Sequence, residues 1–300
     1  MTATTIWIDG ELVGWDEATV HVTSFGLHYG IGFFEGIRCH STPDGPAIFR
    51  LTDHLRRLQR SAAIYGFDLP YPVEELARAC KLVVTANGLA DCYLRPLVFL
   101  GDGANPFTTR LRTAVIAHAH GPLAGPPKQD GVRAQISSFQ RMSPNSIPSA
   151  AKATGQYLNS FLAQREALGC GYDEAIMLND HGSVADGWAH NVFIVTGEAL
   201  VTPPVGAGGL PGITRETVMT LAAEAGVPVR VQDLVRTDLY LADECFLTGT
   251  GAGLVPVVSV DGRRIGAEKP GPLTVSLNDR LTQITHGTVD AHPQWREYVG

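Results

Sequence analysis

Apolar and polar positions alternate over "IWIDGELV", Ile6 to Val13, around the pair Asp9-Gly10. A period of two with a turn dipeptide at its centre predicts a β-hairpin. From Leu51 the period changes. Leu51, Leu55, Leu58, Ala62 and Tyr65 keep helical spacing, and Asp53 falls in the first turn, where a carboxylate suits the helix dipole. "YPVEELARACKLVV" predicts a second helix with Pro72 near its start. "CYLRPLVFLG" and "RTAVIAHAH" predict strands.

Later in the chain the pattern predicts strands near 132–139, 174–179, 191–196, 199–202, 228–232, 244–249 and 254–260. Helices are predicted near 153–168, 214–225 and 273–287, and a second hairpin turn at Asp261-Gly262. Between the halves runs "GPLAGPPKQDG", Gly121 to Gly131. Its glycines and prolines can continue neither a helix nor a central strand. The expected organisation is a smaller N-terminal α/β domain over 1–121, a linker over 122–131 and a larger C-terminal domain over 132–300. Strands and helices in both halves, without an internal repeat, indicate a two-domain protein of mixed α/β and α+β class.

Composition narrows the function. The 300 residues are 44% hydrophobic and 18% charged, enough apolar content for one large core or two medium ones. A net charge of −7 gives no electrostatic case for nucleic acid or an anionic membrane. The start "MTATTIWIDG" has neither a basic nor an apolar leader region, so no signal peptide is expected. No run approaches 18 apolar residues, so no membrane-spanning helix is expected. Five scattered cysteines without a C-x-x-C fit reduced thiols and a cytoplasmic location.

Several stretches carry candidate chemistry. In "SPNSIPSAAKATGQYLNSF", Lys152 has no other charge within eight positions on either side. Such a lysine is either a stem packed on the surface or an amine held in a pocket. "LPGITRETV" puts Gly212 and Thr214 at a helix start, where free N–H groups either bind phosphate or are simply capped. "LTGTGAG", Leu247 to Gly253, offers Thr250 after a strand but is no dinucleotide fingerprint. Tyr93 and Arg95 share a strand face. An arginine there needs an anion, either a substrate carboxylate or an internal one. His118 and His120 also share a face, but no further ligands follow at metal-site spacing, and no metal is expected. Asp186 stands alone in "HGSVADGWAHN" before an apolar strand.

Together, "HYGIGFFEGIR", "YLRPL", "NSIPSAAKATGQYLNS", "LPGITRE" and "YLADECFLTGT" resemble, in order, the class IV, fold-type IV pyridoxal-phosphate enzymes. The likeness is greatest to the branched-chain amino acid aminotransferases and covers about Ile6 to Val260. It implies the two-domain D-amino acid aminotransferase-like fold, pyridoxal 5'-phosphate as cofactor, amino acid and 2-keto acid substrates, and a homodimer or higher homo-oligomer. By the resemblance, Lys152 is the catalytic lysine that bonds covalently to the cofactor, and its small neighbours leave room for a flat ring. Tyr157 matches a tyrosine that hydrogen-bonds the cofactor ring. Arg57, Ile213, Thr214 and Thr250 match the phosphate-binding set. Tyr93, Arg95 and Gly251 match substrate-pocket residues, and Phe34, Gly36 and Arg38 its wall. Tyr29 matches a tyrosine presented across a dimer interface.

Four departures from the family pattern stand out. Asp186 replaces the glutamate beside the pyridine nitrogen and is one methylene shorter. Trp188 and His190 replace small and acidic residues before Asn191, which implies a bulky ring near the cofactor. His120 and Leu123 replace an aromatic pair of the branched-chain pocket, and Gly253 replaces an acid. The resemblance therefore implies transamination with an altered substrate preference, toward a polar or charged side chain. The alternatives are a lyase or other Cα/Cβ chemistry on a specialised amino acid, and a silent binding protein.

Overall fold

The structure, a computed structural model, describes residues 3–119 and 130–300. The described chain forms two compact units. One holds the residues up to Ala119 together with Ala151–Gly155 and Gln283–Gly300; the other holds the rest.

The first unit opens with β1 (Thr5–Ile8) and β2 (Glu11–Gly14), followed by α1 (Phe25–Tyr29). Asp9 and Gly10 both take positive φ, 49° and 105°, as the predicted hairpin turn requires. Next come β3 (Gly32–Phe34), β4 (Ile37–Thr42) and β5 (Gly45–Phe49), then the helices α2 (Leu51–Ile64) and α3 (Val73–Ala86). Strands β6 (Cys92–Leu100) and β7 (Leu111–His118) complete this run. Strand β17 (Arg296–Tyr298) reaches the edge of the same sheet from the far end of the chain. The eight-stranded sheet has the order β17-β5-β4-β6-β7-β1-β2, with β3 on β6, and its pairs are all antiparallel. Leu51, Leu55 and Leu58 of α2 and Leu76, Cys80 and Val83 of α3 turn into one core with Ile37, Ile48 and Leu94 of the sheet.

The second unit contains β8 (Val132–Ile136), α4 (Tyr157–Gly169), β9 (Glu174–Leu178), β10 (Val184–Gly187), β11 (Asn191–Thr196) and β12 (Ala199–Thr202). It continues with α5 (Ile213–Glu224), β13 (Val229–Val231), α6 (Arg236–Tyr240), β14 (Glu244–Gly249), β15 (Gly253–Val260), β16 (Arg263–Arg264) and most of α7 (Pro272–Thr285). Its nine-stranded sheet runs β10-β9-β8-β15-β14-β11-β12-β13, with β16 on β15. The pairs β8–β9, β8–β15 and β12–β13 are parallel. A Val- and Leu-rich core with Val192, Ile194, Leu247 and Val257 lies against this sheet.

Two expectations change. The helix predicted from residue 153 begins at Tyr157, because the backbone before it is already paired. Phe33 and Ala153 form an antiparallel bridge, and the Thr154 N–H donates to the Gly32 carbonyl at 2.8 Å. Residues 151–155 and 283–300 pack with the first unit, although they follow the stretch read as a linker. Most of that linker, together with His120 and Leu123, lies outside the described residues. Strands β3, β4, β5, β10 and β17 have no separate signal in the sequence, since they are short and held by their strand partners.

Candidate active site

Lys152 sits on the extended segment beside β3. Its N–H donates to Ser61 Oγ of α2 at 2.9 Å, and its carbonyl accepts the Phe34 N–H at 3.1 Å. Both bonds fix the backbone, so the side chain is aimed by structure on either side. Nζ stands 4.9 Å from the centroid of the Phe34 ring. Gly155, three residues on, passes so close to Gly30 that a Cβ there would meet the Gly30 carbonyl at 3.1 Å.

Arg57 projects inward from α2 and is buried. Its guanidinium clasps Glu35, with Nε donating to Oε1 at 2.7 Å and Nη2 to Oε2 at 2.8 Å. Glu35 is itself fully buried and also accepts from His54 Nδ1 at 2.7 Å. Burial alone would raise the Glu35 carboxyl, but Arg57 and His54 outweigh it and hold Glu35 below the usual carboxylate range. Burial pushes His54 down, against the pull of Glu35, which favours the neutral imidazole in this contact. Glu35 falls inside the stretch "HYGIGFFEGIR", but nothing there marks it as the partner of Arg57, and no motif marks His54. The α2 periodicity turns His54 and Arg57 toward the core, and Glu35 meets them from the stretch between β3 and β4.

Tyr93 and Arg95 do share a face of β6, and Arg95 Nη2 lies 3.3 Å from Tyr93 Oη. The Arg95 guanidinium lies 4.6 Å from the Phe34 ring centroid. Among the described residues no carboxylate pairs with Arg95, and its buried Nε has no partner. Of the two anions open to it, an internal one is absent there. Gly36 is glycine because any Cβ would overlap the Tyr93 hydroxyl. Arg38 pairs with Asp91 at 2.8 Å. Tyr29, at the end of α1, is 63% exposed and stacks on Phe25.

In the second unit Asp186 lies on β10 at a register shift between Val184 and Asp186. It is buried and accepts three hydrogen bonds. Asn191 Nδ2 reaches Oδ1 at 3.0 Å and Oδ2 at 3.3 Å, and the Leu210 N–H reaches Oδ2 at 3.0 Å. Burial still pushes the carboxyl up to about 7, although Arg141, the Leu210 amide, Asn191 and His190 pull it down. Arg141 is held by the Gly208 carbonyl and Ser160 Oγ at 3.1 and 2.9 Å. Among the described residues only neutral groups hydrogen-bond the Asp186 oxygens. This fits a carboxylate kept for a cationic partner such as a protonated ring nitrogen.

Gly212 is the N-cap of α5, Ile213 is its first residue, and Thr214 lies in the first turn. Thr214 Oγ1 and Thr250 Oγ1 are 3.4 Å apart, so two hydroxyls meet at a helix start, a donor set suited to phosphate. Gly251 follows Thr250 in the turn between β14 and β15, and Gly253 takes φ of 68°. Tyr157 is the first residue of α4 and is half-buried. The Trp188 ring packs with Ala163, Ala167, Ala175 and Met177. His190 presses its ring on Gly249, where a Cβ would meet Cδ2 at 2.8 Å.

The pattern of the amino-transferase class IV family matches residues 32–260. The branched-chain-amino-acid aminotransferase of Salmonella typhimurium is 43% identical over 301 residues, covering 98% of this chain and 97% of that protein. The one from Pseudomonas aeruginosa is 42% identical over 298 residues, with 98% and 97% covered.

The chain belongs to the class IV aminotransferases.

A solved structure of the Escherichia coli branched-chain amino acid aminotransferase is similar at a TM-score of 0.96 and 42% identity, covering 99% of this chain and all of that one. The Thermobaculum terrenum branched-chain enzyme, solved in its PLP-form, is similar at 0.92 and 33%, covering all of this chain and 99% of that one. This class IV aminotransferase is a transaminase; the relatives do not support the lyase alternative or a silent binder. No helix among its described residues is long and apolar enough to cross a membrane.

Proposed function

We propose that this aminotransferase uses pyridoxal 5'-phosphate to move the amino group of a branched-chain amino acid to a 2-keto acid. The observation that carries the reading is the Asp186 carboxylate, buried among neutral donors and lacking a cationic hydrogen-bond partner among the described residues. When bound, the cofactor supplies an electron sink next to the substrate Cα. Lys152 is assigned to covalent attachment and to carrying the Cα proton on Nζ. Asp186 is assigned to the ring nitrogen and Tyr157 to the ring oxygen. Arg57, Ile213, Thr214 and Thr250 are assigned to the phosphate. Arg95, free of internal carboxylates among the described residues, is assigned to the substrate carboxylate with Tyr93 and Gly251. Phe34, Gly36 and Arg38 are assigned to the pocket wall.

Borohydride reduction and peptide mapping test the reading. The cofactor should be found on Lys152, and Lys152→Ala should be colourless and inactive. Label on another lysine would falsify the assignment.

A second reading, a preference for a polar side chain, is supported by His120 and Leu123, at positions where the resemblance implies an aromatic pair. Ranking kcat/KM over leucine, isoleucine, valine and polar amino acids separates the two. Homodimerisation is supported by the exposed apolar side chains Val22, Leu27 and Tyr29, at 69%, 67% and 63%. Light scattering should give twice the chain mass, and Leu27→Asp should shift it toward the monomer. Free cysteines, four of the five buried, support a reducing, cytoplasmic location.

A further inference from the structure

Asn191 opens β11, and its carboxamide joins two parts of the second unit. The amide has two N–H donors. Nδ2 serves Asp186 at 3.0 Å and the Leu210 carbonyl at 2.8 Å, so both are committed. The Leu210 N–H donates back to Asp186 Oδ2 at 3.0 Å. One carboxamide, one carboxylate and one residue's backbone thus close a ring of hydrogen bonds. The amide oxygen also fixes a neighbour: a Cβ on Gly212 would overlap Asn191 Oδ1, so only glycine fits beneath it. Gly212 is the N-cap of α5, and Thr214 follows in the first turn.

Without Asn191, Asp186 would keep a single direct donor, the Leu210 amide, and the Leu210 carbonyl would lose its partner. The turn from Leu210 to Gly212 would then be held from one side only. A buried carboxylate that loses a donor also becomes harder to keep ionised.

We propose that Asn191 is a positioning residue that orients the Asp186 carboxylate and, by the same side chain, sets the turn that aims the start of α5. The two polar ends assigned to the cofactor in this unit, ring nitrogen and phosphate, would then be held in register by one carboxamide. The proposal rests on the assignment of Asp186 and Thr214 to the cofactor. A residue that merely satisfied buried polar groups would affect stability but not cofactor affinity.

The test compares wild type, Asn191→Ala, Gly212→Ala and the double variant. In the cofactor-free protein, hydrogen exchange reads the Leu210 amide; titration with pyridoxal 5'-phosphate reads affinity. In Asn191→Ala the Leu210 amide should exchange at least about tenfold faster while the amides of β14 keep their rates. The dissociation constant should rise by at least about tenfold, the loss expected when a supporting side chain behind a ligand-binding group is removed. Gly212→Ala should weaken binding by pushing the carboxamide aside. The double variant should be no worse than Asn191→Ala alone, because truncation makes room for the new methyl group. Unchanged Leu210 exchange overturns the proposal, and so does faster exchange with unchanged affinity. Additive losses in the double variant overturn it as well, and that comparison still decides if Asn191→Ala is unstable. Asp186→Ala is the reference. If it retains the cofactor like wild type, the cofactor assignment has failed, whatever the exchange data say of Asn191.

Discussion

The Arg57 guanidinium closes on both oxygens of Glu35, Nε to Oε1 at 2.7 Å and Nη2 to Oε2 at 2.8 Å, with neither side chain open to solvent. Removing one partner of a buried ion pair strands the other, which typically costs about 3–5 kcal/mol. Glu35→Ala should therefore lose on the order of that much stability, read by urea unfolding at pH 7. The pair also has an acid signature. Because the folded protein holds Glu35 below its usual range, its contribution is present above about pH 4.5 and is lost as the pH falls. A Glu35→Ala variant with wild-type stability would show that Arg57 finds another counter-ion.

Asp186 should give the opposite sign. Its carboxyl rises from the usual 3.8 to about 7 on folding. The folded chain therefore binds the proton more tightly, and the associated stability is full below about pH 4 and gone above about pH 7. At about 1.4 kcal/mol per tenfold change in protonation, the range amounts to about 4 kcal/mol. In the cofactor-free protein, wild type should lose more stability than Asp186→Asn does between about pH 5 and about pH 8. Unfolding at several pH values checks the difference in slope. Parallel curves would mean that Asp186 is not the titrating group.

Asp186→Glu introduces the residue that the family resemblance implies there, but it should be tolerated poorly. The carboxylate is already fixed by Asn191 and the Leu210 amide, and a Cβ on the neighbouring Gly209 would touch it at 3.5 Å. An added methylene in such a site costs about 1–3 kcal/mol. A more stable and more active Glu variant would contradict this.

Gly36→Ala should displace the Tyr93 ring, since the new methyl group overlaps the hydroxyl. Loss of activity should exceed loss of stability, because Tyr93 and Arg95 lean on one another. Tyr93→Leu should relieve the clash. The double variant is then more stable than the sum of the singles predicts, by about 0.5–3 kcal/mol. Strict additivity in melting experiments would place Tyr93 elsewhere.

Ser61→Ala removes the acceptor of the Lys152 N–H. Losing one such hydrogen bond costs about 0.5–1.5 kcal/mol. The variant should also release the backbone at Lys152, seen as faster exchange of that amide. Unchanged exchange would show that the Phe34 side of the segment suffices.

The sequence by itself determined the elements whose signal is local. The Asp9-Gly10 hairpin, the helices α2, α3 and α5, and most strands of the second unit follow from period, turn dipeptides and helix starts within a few residues of each other. Motif order was likewise enough to place Lys152, Arg57 and Thr214 in a family. Tertiary structure decided what depends on partners far along the chain. The 151–155 segment is extended because β3 pairs with it, and β17 exists because β5 offers an edge. Glu35 stands 22 residues from Arg57, and no local pattern marks it as that arginine's counter-ion. Asn191 and Leu210 are 19 apart, yet together they surround Asp186. Periodicity reports which face of an element is buried; which buried polar atoms meet is set by how the elements pack, and only there is the charge of each site fixed.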